Sequence, residues 1–246
     1  MTIEQKFIKR LIKEGYSYKE ESGKIVITHQ GDVLFDGRKT KEIPRGVVFN
    51  NQGNVDLYKI EEVPSDTIFN NSGDVNLLLG VNVINSEVEF NNGGYANLHS
   101  IRKIHTNIKF NSGKNVNLEG MVDLPSGIKF DNGGDVYLNL LQNLPSDTEF
   151  NNGGHVILNS LVRLDSNVSF NNGGTISLPK LKRINPNTRF NNKGEVHLDS
   201  LVGQWIFAQI PIDWENPPRY SYGEIEVKGI SSRELLNLMI KKELFI

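Results

Sequence analysis

Apolar residues fall on a fixed beat through the middle of the chain. Phe49, Phe69, Phe90, Phe110, Phe130, Phe150, Phe170 and Phe190 are spaced by twenty residues, with a single step of twenty-one between Phe69 and Phe90. A period of this size is the signature of a solenoid, whose repeats pack only on their neighbours. Two residues before the Phe stands a β-branched residue: Thr67, Val88, Ile108, Ile128, Thr148, Val168 or Thr188. Six and eight residues after it come pairs such as Val55/Leu57, Val116/Leu118, Val136/Leu138 and Val156/Leu158. Both groups alternate with period two, so each coil is expected to carry two short strands directed into one core. Two more apolar residues follow at steps of three, as in Ile60 and Val63 or Leu161 and Leu164. That spacing suits a tight helical or irregular return, and Pro64, Pro125 and Pro145 open the turn into the next coil.

The polar positions repeat as strictly. Gly53, Gly73, Gly94, Gly134, Gly154, Gly174 and Gly194 each lie four residues after a Phe, between the two expected strands. A sharp corner there calls for positive φ, which Gly and Asn tolerate best. The Asn residues of the "FNNGG" words can bond one another up the stack, as side chains do in cross-β ladders. Lys114 replaces the Gly in the fourth coil and is expected to distort that corner, and the extra residue of the long step falls within "LLLGVNVIN".

The ends follow other rules. "TIEQ" offers a capping box, and Ile3, Phe7, Leu11 and Ile12 form a helix face ending near Gly15. "KIVITHQGDVLF" reads as a strand or two leading into the first coil, and the repeat stops after Gly203. Beyond it, "WIFAQIPIDWENPPRY" is an irregular apolar stretch, "GEIEVKG" a strand and "SSRELLNLMIKKELF" a capped helix. Terminal coils left bare would be open sheet edges, so both end segments read as caps. The expected class is mainly β: a parallel β-solenoid of about eight or nine coils with helix-containing caps, roughly 40 Å long at ~4.8 Å per layer. The divisions are residues 1–30 for the N-terminal cap, 31–202 for the solenoid, and 203–246 for a C-terminal cap or small α+β binding module.

Composition narrows the chemistry. The 246 residues contain no Cys, which removes disulfides, thiolate zinc sites and a Cys nucleophile. No apolar run approaches the ~20 residues of a membrane span. The charged, amphipathic N-terminus does not read as a signal peptide, and the expected location is cytoplasmic. A net charge of −2 gives no bulk attraction to nucleic acid or anionic lipid. "GGDVYL" is similar to a calcium-binding β-roll repeat, but the column holding its Asp reads Asn54, Asp74, Tyr95, Asn115, Asp135, His155, Thr175, Glu195, which is no carboxylate ladder. His29, His99, His105, His155 and His197 share no coil position on neighbouring coils, so neither a metal site nor a Ser-His-Asp arrangement is expected, and no cofactor. Lys103, Arg163 and Arg183 share a position, but Asp123 and Asn143 interrupt the column, which reads as a solvated face.

The order "VxLxxLxxLP", in "VDLYKIEEVP" and "VYLNLLQNLP", resembles the leucine-rich repeat, nearest the short bacterial and phage-borne versions, over residues 31 to 202. It departs from that pattern where Leu, Ile or Met replaces the usual Asn and where the "FNNGG" corner is added. The resemblance implies a binding scaffold without intrinsic catalysis. With the Asn/Lys/Ile-rich wording of an AT-rich bacterial or phage genome, it suggests a cytoplasmic phage protein that binds a host defence nuclease or effector, such as a CRISPR effector. Two rival readings are a parallel β-helix enzyme acting on polysaccharide, for which Asp135, Tyr137 and His155 are the nearest approach to a catalytic group, and a solenoid that binds or mimics nucleic acid. For a protein partner, the outward position between the two inward residues of the second strand decides the face. It reads Asp56, Asn76, Asn97, Asn117, then Tyr137, Ile157, Ser177, His197. Tyr137, Ile157 and His197, with His155 beside them and Trp205 and Trp214 in the C-terminal segment, are the expected contact residues, because aromatic and aliphatic groups on a polar face concentrate interface energy.

Overall fold

The computed structural model describes residues 1–36, 42–182, 187–198, 220–222 and 225–226. The repeat makes about eight turns of a parallel β-solenoid, marked by eight Phe residues, and the chain forms two compact units. The first comprises Met1–Met121 and Asp131–Gly134, the second Val122–Phe130 and Asp135–Ile246.

In the first unit, two-residue strands ending in Phe49, Phe69, Phe90 and Phe110 pair in parallel and in register. The ladder begins one coil earlier than the Phe beat, because Val26 and Ile27 pair with Val48 and Phe49. Val33–Phe35 pairs likewise with Val55–Tyr58 and opens a second parallel ladder through Val75–Leu78, Ala96–Asn97 and Val116–Asn117. The second unit has two parallel ladders of its own, one through Phe130, Phe150, Phe170 and Phe190, the other through Val136–Tyr137, Val156–Ile157, Ile176–Ser177 and Val196–His197. Tyr220–Tyr222 adds a parallel strand beside Val196–His197, and Ile225–Glu226 turns back antiparallel on it.

The return segment is not helical, and it is irregular in the fourth coil, where no strand forms around Leu124, but not in the coils that follow a tight turn with a strand. Its first step of three is a tight turn, with the amide of Leu161 donating to the carbonyl of Leu158 at 3.1 Å and Leu141 to Leu138 at 3.2 Å. The second apolar residue then lies in a third strand. Glu62–Val63, Val83–Ile84 and Lys103–Ile104 pair in parallel in the first unit, Asn143–Leu144 and Arg163–Leu164 in the second. An apolar spacing of three is shared by a helix and by a turn feeding an extended segment, so periodicity alone does not separate them.

The core of each unit is columnar. Successive Phe rings in the first unit stack 5.0–5.5 Å apart and within 9° of parallel. In the second, centroids are 5.0–5.1 Å apart with tilts of 6° or less. The β-branched column is buried too, and where it is Thr the hydroxyl is satisfied locally: Thr67 Oγ1 donates to the Pro64 carbonyl at 2.7 Å and Thr148 Oγ1 to Pro145 at 2.8 Å. Outside, Asn side chains form the expected ladder at the first Asn of each word. Asn91 donates to Asn70 at 3.1 Å, Asn111 to Asn91 at 2.8 Å, and Asn171 to Asn151 and Asn191 to Asn171 at 2.9 Å. Cross-coil charges pair in the same manner. Lys109 lies 2.6 Å from Glu89, and its hydrogen bond, joined by one from Asn91, holds the Glu89 carboxyl below its ordinary value.

The corner glycines owe their place to close approach and not to positive φ. None of Gly53, Gly73, Gly94, Gly134, Gly154, Gly174 or Gly194 has positive φ. A Cβ at Gly53 would sit 2.3 Å from the Asp32 carboxylate, at Gly73 2.3 Å from Asn54 Oδ1, and at Gly94 2.0 Å from Asp74 Oδ1. The recurrent positive-φ column falls three residues before the Phe instead, at Gly46, Asp66, Glu87, Asn107, Gly127, Asp147, Asn167 and Asn187. Lys114 does not distort its corner: its amide donates to the Gly94 carbonyl at 3.1 Å and its carbonyl accepts from Gly134 at 3.2 Å. Its side chain lies over the Tyr95 ring, 4.8 Å from Nζ to centroid. The preceding coil carries Tyr95 in the column from which Asp or Asn leans over the corners at Gly53, Gly73, Gly94 and Gly134. The long step is taken up at Leu79 (φ 38°) and Gly80 (φ 117°), which leaves Leu79 72% exposed.

At the N-terminus a helix, Ile3–Glu14, starts at a Thr2/Gln5 capping box and ends on Gly15 in the left-handed region. It covers the first coil with Phe7 and Leu11, while Ile3 and Ile12 stay 44% and 65% exposed, so the buried face is narrower than the apolar pattern indicates. Phe7 packs 5.2 Å from Phe35, and Arg10 fills the next turn of the face, its guanidinium 4.6 Å above the same ring. Among the described residues no helix is long and apolar enough to cross a membrane. Arg183, the apolar stretch over residues 203–219 with Trp205 and Trp214, and the helix expected over residues 231–245 lie outside the described residues.

Replacing Phe150, which is stacked on both sides, with Ala is expected to cost about 3–5 kcal/mol in chemical denaturation. Gly94→Ala is expected to destabilise markedly, and by less when Asp74 is also Ala. A double-mutant cycle by denaturation should show coupling of about 1 kcal/mol or more between the two positions.

Candidate functional site

Strand pairing sets Tyr137, Ile157, Ser177 and His197 side by side in the second unit, each opposite the next in register. Because side chains alternate along a strand, the residues flanking each of them point inward. Val136, Val156, Ile176 and Val196 are fully buried, as are Leu138, Leu158 and Leu178. The four outward residues are half-buried between one another and His155 is exposed. The sequence places these five correctly on one face, while Trp205 and Trp214 lie outside the described residues.

The corresponding column of the first unit is consumed by its own ladder. Asn76 Nδ2 donates to Asp56 Oδ1 at 2.6 Å, Asn97 Nδ2 to Asn76 Oδ1 at 2.5 Å, and Asn117 Oδ1 accepts from the Glu119 amide at 3.0 Å. Tyr137, Ile157 and Ser177 cannot continue such an amide ladder. Ser177 Oγ instead donates to Asn159 Oδ1 at 3.0 Å, and His197 Nε2 lies 3.7 Å from the Glu195 carboxylate.

Asp135, Tyr137 and His155 do come together through hydrogen bonds. One Asp135 oxygen accepts from the His155 amide at 2.7 Å and the other from the Tyr137 hydroxyl at 3.0 Å. His155 Nδ1 in turn accepts from the Thr175 amide at 2.9 Å. They belong to a ladder running through the column five residues after the Phe, in which a side-chain acceptor of one coil takes the backbone N–H of the next. Asp32 accepts from Asn54 at 2.7 Å, Asn54 from Asp74 at 2.8 Å and Asp74 from Tyr95 at 2.8 Å in the first unit. This is the column that fails as a calcium ladder. What its varied Asp, Asn and His share is a lone pair at the right reach, a signal visible in the sequence only when the column is read for acceptors instead of charge. Of the return-face cations, Lys103 is exposed and Arg163 pairs with Asp165 at 3.2 Å. Among the described residues no group of three or more His, Asp or Glu side chains is placed to hold a metal ion.

Comparison with known protein families, with curated proteins and with solved structures finds no match for the chain.

Asp135→Ala, which strips the acceptor from the His155 amide and the Tyr137 hydroxyl, is expected to lower stability by about 1–3 kcal/mol. Asp135→Asn should cost clearly less, since Asn fills this position at Asn54 and Asn115. Thermal melts of the two variants test this.

Proposed function

We propose that the protein is a non-enzymatic scaffold that binds another protein through the second-unit face built on Tyr137, Ile157, Ser177 and His197. The observation that carries this reading is the contrast between the two outward columns. In the first unit Asp56, Asn76 and Asn97 satisfy one another along the stack. In the second, an aromatic ring and an aliphatic side chain take their place in register. Amide groups that bond along a stack have little left to offer a partner, whereas a Tyr beside an Ile gives desolvatable area on a rigid sheet. The engagement of Asp135 and His155 in backbone ladders supports a framework role for the group nearest to a catalytic arrangement. As partner we favour a bacterial defence nuclease or effector inhibited by a phage-borne chain, on the strength of the leucine-rich-repeat resemblance and the Asn/Lys/Ile-rich composition.

The test compares wild type with a Tyr137→Ala/Ile157→Asp double variant, both as baits in bacterial lysates. Asp is compatible with the position, because Asp56 holds it in the first unit. The expected outcome is a folded variant that loses a protein captured by wild type, with the captured protein then rebinding purified wild type but not the variant. A folded variant that keeps every partner rules out this face.

A further inference from the structure

The second Asn of the repeated word is followed by Gly at four positions: Asn92–Gly93, Asn132–Gly133, Asn152–Gly153 and Asn172–Gly173. In a free chain, Asn before Gly is the sequence most prone to spontaneous deamidation, because Gly offers no side chain to hinder ring closure. The backbone nitrogen of the Gly loses its proton and attacks the Asn Cγ. The N–Cγ bond forms, the Cγ–Nδ2 bond breaks, and ammonia leaves with the added proton. Water then opens the five-membered imide to Asp or to isoaspartate, whose backbone is one methylene longer.

Each requirement of that reaction is met with an obstacle in the folded coils. The attacking nitrogen is engaged: Gly93 N–H donates to the Asn71 carbonyl, Gly133 to Ser112 and Gly173 to Asn152, each at 2.9 Å. The leaving amide is clamped between two carbonyls, Gly73 and Tyr95 for Asn92 at 3.2 and 3.0 Å, and Gly154 and Gly174 for Asn172 at 3.0 and 2.9 Å. Asn132 is held by the carbonyls of Lys114 and Gly134, both at 3.0 Å, and Asn152 by that of His155 at 3.1 Å. All four side chains are buried to within 1%. No protein group donates to the buried Oδ1 of Asn92 or Asn172, so the negative charge that gathers on this oxygen during attack has no hydrogen bond to receive it.

The product is as ill-suited to the coil as the reaction. An Asp at position 172 would bring a carboxylate oxygen to the place where the Asn172 amide now meets two carbonyl oxygens, in a dry site. Isoaspartate would break the twenty-residue register on which every ladder depends.

From these observations we infer that the four Asn–Gly pairs are latent modification sites that the stacked coils keep closed. The unfolded or unstacked chain deamidates at them, the folded chain is protected, and a chain once deamidated restacks the coil concerned less stably.

The test incubates the full chain at one mildly alkaline pH and one temperature, in buffer and in denaturing urea, and follows each site by peptide mass spectrometry. Deamidation at Asn92, Asn132, Asn152 and Asn172 should be suppressed about a hundredfold or more in the native state, since it must wait for coil opening. A native rate within a few-fold of the rate in urea overturns the inference. The second half is tested with Asn172→Asp against Asn172→Ser, Ser being the residue at the same position in the fourth coil. The Asp variant should melt well below the Ser variant at neutral pH, and the gap should widen as pH rises through the carboxylate range, because burial disfavours the ionised form. Equal melting of the two variants at neutral pH shows that the coil accepts the product and overturns that half.

Discussion

The stacking of one coil's backbone on the next at the spacing of a parallel strand governs everything else in this chain. The amide of Asn91 meets the carbonyl of Phe69 at 2.8 Å, Asn151 meets Phe130 at 2.8 Å, and Asn191 meets Phe170 at 2.7 Å. Once these bonds form, residues one coil apart lie within about 5 Å of each other at every position, and each column must hold side chains that tolerate their own kind at that distance. Phe does so by stacking face to face and Asn by donating to the Asn beneath it. Glu does so by facing Lys, as Glu89 faces Lys109. Gly does so by having nothing to place there. The repetitive wording is a direct consequence, because few residues are good neighbours to themselves.

Much of this was legible in the residues. The Phe beat, the β-branched partner and the Val/Leu pair specify parallel strands in register around a packed core, and the outward alternation puts Tyr137 and Ile157 on one face without any structure in hand. Other features were open to misreading, each for a physical reason. A spacing of three between Leu158, Leu161 and Leu164 belongs equally to a helix and to a turn entering a strand, and only the pairing of Arg163–Leu164 with Asn143–Leu144 separates them. Glycine has two distinct uses, positive φ and close approach, and its recurrence at the corner does not say which applies. The left-handed residues sit instead in a column of Gly, Asp, Asn and Glu three residues before the Phe, whose composition points to that use. The opening coil is hidden because Ile27 stands where Phe is expected.

The candidate face shows how a framework this constrained leaves room for individuality. Inward columns are nearly invariant, and the ladder columns admit any residue with the right acceptor. The outward position of the second strand changes from coil to coil, since its side chain does not enter the core. A surface assembled from such positions is rigid beneath and variable above, which suits recognition by shape and apolar area more than chemistry that needs convergent polar groups.

The pairing of Tyr95 with Lys114 bears on how such an array can grow or shrink. Wherever Asp or Asn occupies the acceptor column, the corner of the following coil must be Gly. Where Tyr95 stands in that column, Lys114 occupies the following corner with its side chain over the Tyr95 ring. The dependence crosses the boundary between coils, so the smallest self-consistent module is not a coil counted from Phe to Phe. It runs from one acceptor position to the next corner, as from Tyr95 to Lys114, a span of twenty residues. Excising that span joins Gly94 to Asn115 and takes both exceptions away together, leaving an unbroken alternation of acceptor and Gly. A deletion in any phase that keeps or removes Tyr95 and Lys114 together preserves the alternation, whereas excising residues 91–110, Phe to Phe, leaves Lys114 at the corner behind Asp74.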